Sequence, residues 1–173
     1  MSATQAQATH GASKTIDQPV GRGGKFLTIS LADEDYGIDI RRIREINGIT
    51  SITPVPRAHD FMKGVINLRG VVVPVIDLRL KFGLCEAEHT EETCIIVVDV
   101  GRDVGVVVDS VAEVLDLDGA DIKPAPQMGA GANSSFIVGM GDVGGSLKIL
   151  IDIERALTDD ELNEFDSQDP ANG

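Results

Sequence analysis

Five groupings in this 173-residue chain have residue types and spacing that could carry chemistry. Gly139-Met140-Gly141-Asp142-Val143-Gly144 fits G-x-G-x-x-G, which cradles a dinucleotide pyrophosphate when the glycines follow a strand and open a helix. Asp116-x-Asp118-Gly119 has the opening of a calcium loop. His10, His59, His89, Cys85 and Cys94 are the side chains able to ligate a borderline metal or serve nucleophilic catalysis. Asp77, Asp109 and Asp152 each end an apolar run, in PVIDL, VVVDS and ILIDI. Arg69 places a permanent charge beside Gly70 in the middle of KGVINLRGVVVPVIDL (63–78), between two stretches that should be buried.

Most of this chemistry fails on context. Gly144 leads through Gly145-Ser146 into LKILID, a further strand, so no helix N-terminus stands behind the glycines and a hairpin loop accounts for them. No cofactor is expected. The acids at 116 and 118 lack the alternating ligands and the closing bidentate Glu of a calcium loop, and read as a turn. The histidines and cysteines are not in metal-site spacing, and Cys85 and Cys94 do not form C-x-x-C. No serine lies in a nucleophile elbow. The three strand-end carboxylates are best explained as acceptors for the next backbone amides, which stop the strand. What remains is a binding module rather than an enzyme. The competing reading is a small β-barrel metabolite-binding protein or enzyme with its site between two halves, supported by the 139–145 loop and the acidic strand ends.

Composition points the same way. A hydrophobic fraction of 42% with 25% charged residues is that of a globular chain with room for one domain, or two small ones sharing a core. Aromatics are only 3%, so the core is built of Val, Ile and Leu, and platforms for stacking bases are scarce. The net charge of −13 argues against nucleic acid. Residues 159–169 (DDELNEFDSQD) hold six acids and no base, the pattern of a solvated acidic tail. MSATQAQATHGASK has no apolar signal core and no stretch approaches the ~18 residues of a membrane span. Cytoplasmic residence with reduced thiols is the expectation, which leaves the Asn133-Ser134-Ser135 sequon without meaning.

The elements that must position these residues are short strands. FLTISLA, YGIDI, REINGI, GVINL, VVVPVIDL, TCIIVVDV, VGVVVDS, EVLDL, FIVGM and LKILIDI are rich in Val and Ile and separated by Gly, Asp, Asn and Pro. An all-β fold follows, with short helices at turns: RAHDFMKG (57–64), LRLKFG (78–83) ending in a glycine suited to positive φ, and a terminal helix around 153–165 capped by Asp152, with Thr158-x-x-Glu161 in capping-box spacing. Residues 1–24 read as a flexible tail, 25–157 as the folded domain, and 153–173 as the short helix and acidic tail. Pro74 has no amide hydrogen, which predicts an edge strand or a bulge in VVVPVIDL.

On these elements the chain closely resembles the CheW family of bacterial chemotaxis coupling proteins. The resemblance is carried by KGVINLRGVVVPVIDLRLKFG (63–83), YGIDIRRIREING (36–48), ITPVPRAHDFMKG (52–64), GVVVDSVAEVLDLDGADIKPAP (105–126) and FIVGMG…LKILIDIERAL (136–157), in the family's order over residues 25–157. It implies two five-stranded SH3-like β-barrels packed side by side, the first roughly 25–84 and the second roughly 91–152, with end strands able to cross between them. It implies a scaffold without catalysis that links the cytoplasmic tips of chemoreceptors to the regulatory domain of the histidine kinase CheA. Such a coupler is expected to be monomeric alone, recruited to membrane-associated receptor arrays and not inserted in the membrane. A coupler fused to a receiver domain would need a further ~120 residues, so the free form is expected.

The family's partner-binding positions carry over where the motif matches. They are Arg69 in NLRG, Glu45 in IREI with Ile43 beside it, and Gly64, Val65, Asn67 and Leu68 in the same signature. If adjacent strands bring Glu45 and Arg69 together, a charge-assisted, bidentate contact can form, for which the planar fork of Arg is better suited than Lys. Receptor tips in these systems are helical hairpins, which fits a helix seated in an apolar groove, with Ile43 and, more weakly, Val65 as groove residues. The sequence does not locate the kinase-binding face.

Overall fold

The structure, a computed structural model, describes residues 21–56, 59–126 and 136–157. Each of the ten apolar runs falls on a strand. In chain order these are β1 (Gly23–Leu31), β2 (Glu34–Asp39), β3 (Ile43–Gly48), β4 (Met62–Leu68), β5 (Val71–Asp77), β6 (Cys94–Asp99), β7 (Asp103–Val108) and β8 (Ser110–Asp118). The two-residue β9 (Ile122–Lys123) was not foreseen, and β10 (Ile137–Val143) and β11 (Ser146–Ile151) complete the set. One-turn helices α1 (Leu78–Lys81) and α2 (Ile153–Ala156) follow β5 and β11. β1 begins at Gly23, two residues ahead of the expected Lys25, and Gly23 and Gly24 already pair with Asp118 and Leu117 of β8.

The strands form two sheets, six-stranded in the order β8-β1-β2-β11-β10-β9 and five-stranded in the order β3-β6-β7-β5-β4. These are the two SH3-like barrels, but they are not the first and second halves of the chain. The five-stranded sheet is one continuous insertion, entered through a 3-10 turn at Ile40–Arg42 and left at Asp109, and the six-stranded sheet is assembled from both ends. The expected division near residues 84–91 therefore gives way to one at 40–42 and 109. The physical reason is that the β1–β2 hairpin cannot bury a face alone. β8 pairs with β1, and β11 runs parallel to β2 with Tyr36 opposite Ile149.

Three apolar clusters account for the sequence pattern. Ile66, Val73, Val75, Ile95 and Val107 fill the five-stranded barrel, and Phe26, Leu117, Ile122 and Leu150 fill the six-stranded one. The largest cluster lies between the sheets, with Leu27, Ile29, Leu31 and Ile38 from one and Met62, Ile76, Ile96, Val98, Val104, Val106 and Val108 from the other. Ile95 faces the barrel interior and Ile96 the shared cluster, so β6 is buried on both faces and reads as an unbroken apolar run. At about 25 cal/mol per Å² of apolar area, such two-faced burial dominates the stability of a small domain.

Each passage between the sheets is fastened by an arginine. The buried Arg42 donates to Glu154 Oε1 of α2 (2.6 Å) and to the Asp99 carbonyl (3.3 Å). Asp109 accepts Nε and Nη2 of Arg79 at 2.8 Å each and the Ala32 amide at 2.8 Å. Burial pushes the Asp109 carboxyl up, yet the Arg79 fork and the Ala32 amide leave it below the ordinary range. The strand-end acids thus divide. Asp77 and Asp152 cap α1 and α2 by accepting Leu80 N and Glu154 N, while Asp109 ties distant segments together.

Three local expectations are corrected or refined. β5 is not an edge strand, since it lies between β4 and β7. Pro74 is tolerated there because it faces Val65, whose N–H and C=O are both engaged by Thr53 on the other side, and because the parallel ladder to β7 starts one residue later, at Val75. Residues 59–61 form a turn rather than helix, since Met62 is already in β4, where its side chain enters the shared core. Gly139–Gly144 lies in the β10–β11 hairpin, turned at Gly144 and Gly145 with φ of +58° and +90°. The Thr158-x-x-Glu161 box, the acidic segment 159–169 and the sequon at 133–135 lie outside the described residues.

Two outcomes follow for stability. Gly64 has φ +143°, and a Cβ there would stand 2.1 Å from the Thr53 carbonyl oxygen. Gly64→Ala should lower unfolding free energy by about 2 kcal/mol or more, measured by urea denaturation. Asp77 is buried, and desolvation raises its pKa. A raised carboxyl leaves stability intact below the unfolded value near ~4 and removes it as pH rises through the folded one. Asp77→Asn keeps an acceptor for Leu80 N, so the variant should gain on the wild type as pH climbs from 3 to 7 in parallel melts.

Candidate partner-recognition site

β4 and β5 pair over their whole length, but β7 joins β5 only at Val75–Asp77. Their outer ends therefore project as a two-stranded ribbon, which is why Val71 and Val72 are 59% and 63% exposed despite their apolar context. The ribbon turns at Arg69-Gly70, with φ of +52° and +88°. Two consecutive left-handed residues make the tight turn that matches strand twist, a position favouring Asn-Gly or Gly-Gly over Arg. Asn67 Oδ1 accepts the Gly70 amide at 2.8 Å and fixes the turn.

β3 and β4 stand at opposite ends of the five-stranded ladder, so Glu45 and Arg69 are not on adjacent strands. They meet because the sheet curls round its interior: Thr53, downstream of β3, bridges Val65 of β4, while Ile49 and Ile52 pack on the interior cluster with Leu68. Arg69 Nη2 donates to Glu45 Oε2, and Nη1 approaches Oε1 at 3.4 Å, a two-armed contact across the seam. Asn47 Nδ2 donates to the same Oε1 at 3.2 Å. The Arg69 fork, and after it the Asn47 amide, hold the Glu45 carboxyl below the usual carboxylate range. Arg69 is the more open member, its side chain 73% exposed against 28% for Glu45.

The remaining positions separate by depth. Asn67 is exposed, Leu68 is half-buried against the barrel interior, and Gly64 is buried beneath Thr53. Ile43 and Val65 are half-buried against the cluster between the sheets. A register shift between Ile43 and Glu45 puts these neighbours on different faces of β3, opposite Val98 of the shared core and Val97 respectively. Sequence reasoning missed Asn47, which the two-residue period of a strand places beside Glu45, and the 44% exposed Ile46 between them. Among the described residues no group of three or more His, Cys, Asp or Glu could hold a metal ion, and no helix is long and apolar enough to cross a membrane.

A family model for the CheW-like domain matches residues 25–161. The chain belongs to the CheW family. It is 42% identical over 156 residues to the chemotaxis protein CheW of Klebsiella aerogenes, covering 90% of this chain and 93% of the relative. The corresponding protein of Rhizobium meliloti is 34% identical over 140 residues, covering 80% and 90%. Among solved structures, the scaffolding protein TtCheW from Thermoanaerobacter tengcongensis superposes with a TM-score of 0.71 at 34% identity, over 78% of this chain and 92% of that one.

Arginine in a left-handed turn position carries backbone strain that Asn relieves. Arg69→Asn, which creates the preferred Asn-Gly turn, should raise the midpoint of thermal unfolding by roughly 2–4 °C despite loss of the ion pair. A lowered midpoint would show that the pair outweighs the strain.

Proposed function

We propose that the chain is a non-catalytic scaffold of chemotaxis signalling. It couples the cytoplasmic tips of chemoreceptors to the regulatory domain of the histidine kinase CheA, so that receptor occupancy controls autophosphorylation. Membership of the CheW family supports the adaptor role. The observation that carries the site is the Glu45–Arg69 pair, displayed across the rim of the five-stranded barrel and pre-oriented by two hydrogen-bonding arms. A charge held in fixed direction on a rigid element gives partner discrimination and register, more than raw affinity.

In this reading Glu45, Arg69 and Asn67 meet a partner from the rim. Ile43 and Val65, each half-buried against the cluster between the sheets, are the apolar positions offered to a helix. Leu68 and Gly64 act from beneath by shaping the ribbon. The space between the sheets is filled by apolar side chains, which disfavours a metabolite site there. Action at receptor arrays belongs to the same proposal.

Co-sedimentation of the full chain with receptor cytoplasmic fragments and cognate kinase tests it. A ternary complex should form, and kinase activity should depend on this protein. Arg69→Glu faces Glu45 with a like charge and should weaken assembly at least ~10-fold without unfolding the barrel. Wild-type assembly by that variant would refute the site, and absence of any complex would refute the function.

A further inference from the structure

Glu45 is the better buried half of the recognition pair, yet its rotatable side chain would wander if Arg69 alone held it. Arg69 sits on a turn between two strands that project from the sheet, and is the member more open to solvent. A partner that engages the Nη2 end of its guanidinium competes with Glu45 Oε2 for it. A recognition site that lost the order of one residue on engaging the other would forfeit much of its preorganisation.

The second contact on Glu45 answers this. Asn47 lies two residues along β3, on the same face, with its backbone set opposite Ile95 in the ladder to β6. Its amide donates to Oε1, an oxygen that Arg69 reaches only at 3.4 Å, while the close contact of Arg69 is with Oε2. The two carboxylate oxygens are thus held from two directions, Oε1 from within β3 and Oε2 from the β4–β5 turn. Asn47 is neutral: it orients the carboxylate without neutralising it, so the charge stays available to a partner's cation. A cation at 47 would compete with Arg69, and an acid would repel Glu45.

We infer that Asn47 is a positioning residue of the recognition site, keeping Glu45 in place through Oε1 when Arg69 and Oε2 are given over to a partner. This rests on the reading of Glu45 and Arg69 as partner-facing, and its test has two arms that fail separately. The first uses the full chain alone, following the Glu45 carboxyl carbon through pH by NMR. Arg69→Ala should bring the midpoint up while leaving it below that of a free glutamate. Adding Asn47→Ala should bring it the rest of the way, and Asn47→Ser, too short to donate there, should match the alanine. Identical titrations for Arg69→Ala and the double variant would overturn the inference.

The second arm measures assembly with receptor fragment and kinase. Loss of one hydrogen bond of ordinary strength corresponds to about 3–10-fold weaker association for Asn47→Ala. Asn47→Asp should weaken it further, and the loss with Asp should shrink at high salt. Both variants should still unfold in one transition, within a few degrees of the wild type. Wild-type assembly by Asn47→Ala would overturn the positioning role even if the titration arm succeeds. No assembly by the wild type would overturn the coupling function, and the titration would then still decide whether Asn47 holds Glu45.

Discussion

The rest of the structure depends on one constraint: the central strands of the five-stranded sheet, β6, β7 and the inner part of β5, are buried on both faces. One face lines the sheet's own interior and the other packs against the companion sheet, so the same few strands serve two cores through alternate residues. Small barrels have little interior, and 173 residues with few aromatics cannot fill two independent ones generously. Sharing a cluster between them solves the problem, and it demands β-branched residues at consecutive positions. Gly105 shows how tight the arrangement is, since a Cβ there would lie 2.9 Å from Ile95 Cγ2.

Because the core fixes the sheets, the rim is free to hold residues that would not stabilise a fold by themselves. Arg69 occupies a backbone position better suited to glycine or asparagine, and Val71 and Val72 stand in solvent. These are local conflicts between propensity and structure, and such conflicts concentrate where a surface serves recognition. The arginines at the sheet crossings contrast with Arg69. Arg42 and Arg79 are enclosed and direct their forks inward to carboxylates of distant segments, so their charge is spent on architecture.

Much of this was legible in the sequence. Val/Ile runs with intervening Gly and Asp gave the strands, and Asp152 gave the start of α2, because these are local signals. The allocation of strands to sheets was not legible, since the ladder between β2 and β11 depends on which distant hairpin completes a half-formed sheet. Pro74 misled for a related reason. Proline forbids one hydrogen bond, and whether that bond would have been made depends on how far the neighbouring ladder extends. In the site, Glu45 and Arg69 could be named but not joined, because curvature of the sheet brings them together. Asn47 was open to discovery from strand periodicity alone, whereas Ile43 needed the register shift that turns it away from Glu45.

The nested chain path has a consequence for biosynthesis. The five-stranded barrel is encoded without interruption between Ile43 and Val108, so all its ladders are available once that stretch has left the ribosome. The six-stranded barrel must wait for β11, its last strand in chain order, to reach β2. Until then the apolar face that the inner barrel shares with its companion has β1, β2 and β8 to cover it, and lacks Ile151, Ile153, Ala156 and Leu157. The chain order thus makes the outer barrel the part with the larger loop to close, and leaves the last of the shared core to the segment that follows β11.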